Sequence, residues 1–141
     1  MSRKIRVASL FLVIAAAVLV PTAAFPAHGP AIVRFKMLEW DIIPQNATKS
    51  HGPIPKTTFV VQNAGNLEHE FVVIRTNKAA GQLAVQGAKE VSEKGAVGEI
   101  GSIPAGKTKK LVLSLKKGHY ALVCNIEGHW NNGQFVDFYM H

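Results

Sequence analysis

The chain has 141 residues, 18% of them charged, with a formal excess of seven positive charges at neutral pH. That excess is spread along the sequence and no stretch interleaves basic with stacking aromatic residues, which argues against a nucleic-acid surface. The single cysteine, Cys124, excludes a disulfide within the chain.

Residues 1–24 read as a signal peptide: "MSRKIR" is a basic start, "VASLFLVIAAAVLV" an apolar core, and Thr22 and Ala24 are the small residues of a cleavage site. The apolar run falls short of the roughly twenty residues that suit a membrane span. The expected mature protein is residues 25–141, one domain, periplasmic or secreted, with no stable membrane insertion after cleavage; an uncleaved anchor is the alternative. Removing Arg3, Lys4 and Arg6 leaves thirteen Lys and Arg against nine Asp and Glu. Such a mildly basic surface suits an anionic protein partner through electrostatic steering.

From residue 32 onward the hydrophobic period is two almost everywhere, which predicts an all-β protein. "VRFKM" places Val33, Phe35 and Met37 on one side, and "LEWDI" follows in shifted phase, as across a bulge. "TTFVVQN", "HEFVVIRT", "KKLVLSL", "GHYALVC" and "QFVDFYM" supply further strands between Gly, Pro and Asn turns. The spacing suits a Greek-key β-sandwich. Residues 77–99 are polar, Ala-rich and punctuated by Gly, and predict a long connection with a short helix.

Chemistry concentrates at "YALVCNIEGHWNNGQF". An unpaired cysteine in an exported chain is an intermolecular bridge, a reactive thiol or a ligand. Tyr120, Leu122 and Cys124 share one face of a strand, so the thiol sits at its inward end. His119, of opposite parity, is expected to face solvent. The loop after Cys124 brings His129 back towards it, and thiolate and imidazole are donors that copper or zinc takes. His69, at the start of "HEFVV", is the third candidate.

Asn63-x-Gly65-x-x-x-His69, followed by Tyr120-x-x-x-Cys124-x4-His129, resembles the copper motif of the cupredoxins, the family of plastocyanin and azurin. "FVVQNAGNLEHEFVV" and "GHYALVCNIEGHWNNG" are similar in particular to small exported bacterial copper-binding proteins and the sulfocyanins. The resemblance implies one type 1 copper per chain, with His69, Cys124 and His129 as its trigonal set. The family's usual axial methionine is replaced by Gln134, as in stellacyanin-like members. It further implies a hydrogen bond from the Glu70 backbone to the Cys124 sulfur. The implied role is single-electron carriage by a monomer, not enzymatic catalysis, with a redox protein docking near His129 and Trp130. Two rivals stay open: a copper carrier with no place in a redox chain, and an enzyme using Cys124 as nucleophile with His129 as base. No orienting third group or oxyanion-hole motif is evident for the second.

Overall fold

The computed structural model describes residues 31–46, 49–50, 56–87 and 89–141; the signal-peptide expectation for residues 1–24 lies outside them. Alternating apolar residues fold β1 (Ala31–Leu38), β2 (Asp41–Pro44), β4 (Thr57–Asn63) and β9 (Thr108–Leu113) into one sheet, in the order β2-β1-β4-β9. The second sheet runs β3-β11-β10-β5-β8, from β3 (Lys49–Ser50), β11 (Phe135–Met140), β10 (Gly118–Val123), β5 (His69–Arg75) and β8 (Ala96–Ile103). Pairing is antiparallel except for β1 with β4 and β3 with β11. The sheets face each other across a core of Phe35, Phe59, Phe71, Tyr120, Leu122 and Phe138 with smaller neighbours. The all-β sandwich expected from the period-two pattern is what forms.

Between β1 and β2 the phase break is a two-residue turn at Glu39 and Trp40, with Leu38 opposite Asp41. The bulge expected there is therefore a hairpin, and the turn itself resets the phase of the alternation.

Residues 77–95 are not a loose connection. They form a 3-10 turn at Ala80–Gln82, then the short pair β6 (Val85–Gln86) and β7 (Glu90–Val91), and lie across the outer face of the second sheet. A second apolar cluster forms beneath them, in which Val72, Ile74, Ala121 and Val123 of β5 and β10 meet Ala80, Leu83 and Val91, with Trp130 and Phe135 packed alongside. Strands covered on both faces read as unbroken apolar runs rather than alternations, which accounts for "FVVI" and "YALV". β8 replaces the last part of the expected connection. Its apolar residues Val97, Ile100 and Ile103 fall three apart because the register against β5 shifts twice, so the period of two is absent.

Candidate metal centre

All four predicted site residues converge at one end of the second sheet. His69 opens β5 beside a register shift against β8, and its side chain is fully buried. The turn before it is set by Asn63, whose amide nitrogen donates to the Leu67 and Ile103 carbonyls, each at 2.7 Å, while its oxygen accepts from Gly65 N–H at 2.9 Å. Cys124 follows the last residue of β10, and its N–H donates to the Gln134 carbonyl at 3.1 Å. That bond closes the loop 125–133 at its base. Within the loop His129 N–H donates to Ile126 O, and a 3-10 turn, Trp130–Asn132, ends at Gly133 with φ 103°. L-residues with a side chain rarely adopt that conformation, and it delivers Gln134 inward.

Cys124 Sγ lies 3.4 Å from His129 Nδ1 and 4.0 Å from His69 Nδ1, and the three donor atoms all fall within 4.8 Å of one another. A shared metal about 2.3 Å from sulfur and about 2.0 Å from nitrogen would hold S and N about 3.5 to 3.7 Å apart, for angles between tetrahedral and trigonal. The two observed separations bracket that range, so the donors present fit one ion. Gln134 completes the cluster. Its amide nitrogen donates to the Leu38 carbonyl at 2.5 Å, and a carbonyl can only accept, so the amide oxygen is left facing the site, 3.0 Å from His129 Nδ1. The same nitrogen lies 3.1 Å from His69 Nδ1.

The electrostatics favour a neutral His69 and a protonated Cys124 thiol before a cation binds. Burial, reinforced by the neighbouring His129, pushes the His69 pKa below the usual histidine value. Burial pushes the Cys124 thiol up to about 11, against the opposing pull of the Glu70 backbone N–H, which donates to Sγ at 3.2 Å. The expected backbone contact to sulfur is thus present. Among the described residues His69 Nε2 is buried without a hydrogen-bond partner. Such a group costs about 1–3 kcal/mol, and the ring keeps an orientation that serves Nδ1 at that expense. On the opposite face of β5 the Glu70 carboxyl is raised to about 7 by burial and by repulsion from Glu93, Glu99 and Glu90.

Two expectations about neighbouring side chains are corrected. Trp130, expected at the exposed rim, turns its ring towards Phe135 and the second cluster, and donates from Nε1 to the Ala80 carbonyl at 2.9 Å. Trp40 takes the rim instead: it is 47% exposed and meets the His129 ring edge to face at 5.4 Å. His119, expected in solvent, does lie on the outer face, but its side chain is only 14% exposed and its ring packs on Tyr139. Its ring contacts the Thr76 carbonyl at 3.0 Å and Asp137 at 2.8 Å. The only sequence sign of Trp40 was the phase break at its turn, and Asn125, whose contacts follow below, gave none.

No family model and no curated protein matches the sequence. Solved structures do. Reduced auracyanin from Roseiflexus castenholzii superposes with a TM-score of 0.59 at 10% identity, over 81% of this chain and 99% of that one. Auracyanin A, a "blue" copper protein from Chloroflexus aurantiacus, gives 0.58 at 14%, over 80% and 100%. The copper protein rusticyanin gives 0.63 at 15%, over 82% and 80%. At such identities the likeness is one of fold: the chain has the cupredoxin fold, with a buried His-Cys-His cluster at one end of its sandwich.

Proposed function

We propose that the protein is an exported type 1 copper protein that carries single electrons. The observation that carries this reading is the convergence of His69 Nδ1, Cys124 Sγ and His129 Nδ1 within 4.8 Å in a buried pocket. Two imidazoles and one thiolate, with a weak oxygen donor in Gln134, make up a set suited to copper in both oxidation states, and at a given site Cu(II) binds ahead of Zn(II). When bound, copper would supply the redox couple, Cu(I) and Cu(II). His69 and His129 would offer imidazole nitrogens, Cys124 would give up its proton on loading, and the Glu70 N–H would steady the sulfur. In this reading the site carries electrons only, and no substrate bond is made or broken there.

Electrons would pass at the rim beside His129. That ring is only 8% exposed, but Trp40 against it is 47% exposed, which leaves the ligand one aromatic contact from a docked partner. This supports carriage over storage, for which a fully shielded site is expected. A redox protein docking at Trp40, a monomeric state and removal of residues 1–24 complete the proposal. Among the described residues no helix is long and apolar enough to cross a membrane.

Titrating the metal-free protein with Cu(II) should give an intense visible band that saturates at one equivalent, and Cys124→Ser should abolish it with the fold retained. A band that survives Cys124→Ser would sink the assignment. N-terminal sequencing of the exported protein should begin near Phe25.

A further inference from the structure

We infer that the 77–95 segment is a strap that fixes the ligand loop, and that Asn125 and Trp130 are positioning residues of the metal site. The loop from Asn125 to Gly133 joins Cys124, His129 and Gln134, yet the bonds it makes to itself only shape local turns. Its base is closed by the bond from Cys124 N–H to the Gln134 carbonyl, and Ile126 packs on the core between the sheets; the remaining side-chain anchors of the loop go to the strap.

Directly after Cys124, the Asn125 side chain is buried and pairs with β7 as a strand neighbour would. Its oxygen accepts from Val91 N–H at 2.8 Å and its nitrogen donates to the Val91 carbonyl at 3.1 Å. That nitrogen also reaches Glu93 Oε1 at 2.7 Å. A side-chain amide carries the same donor and acceptor as a peptide group, so it extends the pairing where β10 has ended. Directly after His129, Trp130 donates to the Ala80 carbonyl. The residue before His129, Gly128, has its N–H 3.4 Å from the Lys89 carbonyl. The loop is thus held on both sides of His129 and at the residue next to Cys124.

The strap also makes its own bonds and packing contacts to the second sheet. Asp137 Oδ1 accepts from Ala80 N–H at 2.8 Å, Thr76 N–H donates to the His119 carbonyl, and Ala80, Leu83 and Val91 are buried in the second cluster. Rigid groups around the ligands are what hold a site in working geometry. A loop that carries one donor and joins two others would otherwise be freer to rearrange whenever the charge at the site changes. This inference rests on the copper reading for its purpose, though not for its geometry.

The test reads both. Amide hydrogen exchange in the metal-free protein is compared among wild type, Asn125→Ala, Trp130→Phe and Val33→Ala, the last a substitution in the core between the sheets. Asn125→Ala should speed exchange across residues 126–133 by about tenfold, with Trp130→Phe following more weakly, while amides of β1 and β4 hold their rates. Val33→Ala should lower global stability without singling out the loop. In the copper-loaded protein both loop variants should shift the thiolate band. Loop exchange within about twofold of wild type in both variants, or acceleration shared equally by β1 and β4, would overturn the strap. A wild-type protein with no thiolate band would instead overturn the copper reading, leaving the exchange result to decide the strap alone.

Discussion

The two sheets of the sandwich differ in what covers them. Among the described residues the first, β2-β1-β4-β9, has an apolar core on one face, and its other side leaves Val112 54% exposed, although Val60 is buried there. The second is packed on both faces at β5 and β10, with Val123 fully buried under the strap. Every predicted donor belongs to the covered sheet or its loop: His69 at the start of β5, Cys124 after β10, Gln134 before β11, and His129 between the last two. The open sheet contributes the Leu38 carbonyl behind Gln134, Trp40 at the rim and, from the end of β4, Asn63, which sets the turn before His69. Two-sided packing removes freedom from the strands that must hold donors in place, while among the described residues the first sheet has no second apolar cluster on its outer face.

Stability measurements on the metal-free protein would break or sharpen that contrast. Ile74→Ala, in the covered outer cluster, should cost about 2–5 kcal/mol in urea denaturation. Val112→Ala, on the open outer face, should fall within about 0.5 kcal/mol. Equal costs would mean that the strap adds no packing. Asn63→Ala should cost about 1–3 kcal/mol by leaving the Ile103 carbonyl without its partner, and should weaken copper binding by releasing the turn that aims His69. Circular dichroism melting and copper titration check the two halves of that expectation.

Substitutions at the site should act on function more than on folding. Gln134→Met exchanges a hard oxygen for a softer sulfur donor, so the reduction potential should rise with the thiolate band retained. Unchanged potential and spectrum would make Gln134 a loop residue only. Trp40→Ala should have the smallest effect on stability, shifting the thermal midpoint by a few degrees at most, while slowing electron self-exchange measured by NMR line broadening. Unaltered exchange would move the electron route away from the rim.

Sequence spacing carried the site further than it carried the fold around it. Asn63, Gly65, His69, Cys124, His129 and Gln134 are fixed in place by turns and strand parity, which are local properties. β8 was invisible because its register shifts set Val97, Ile100 and Ile103 three apart. The inward turn of Trp130 depends on where the strap lies, and the partial burial of His119 on its contacts with Thr76, Asp137 and Tyr139; nothing within either residue's neighbourhood encodes that. The long connection read as polar filler because its few buried residues, Ala80, Leu83 and Val91, are scattered with no period.

The central claim is that a preformed His-Cys-His group holds one copper through both oxidation states. X-ray absorption at the copper edge, recorded on the oxidised and the reduced protein, tests it most directly. The account predicts one short sulfur and two imidazole nitrogens in both spectra, with the same set retained on reduction. Absence of the sulfur, or loss of an imidazole when the protein is reduced, would contradict it.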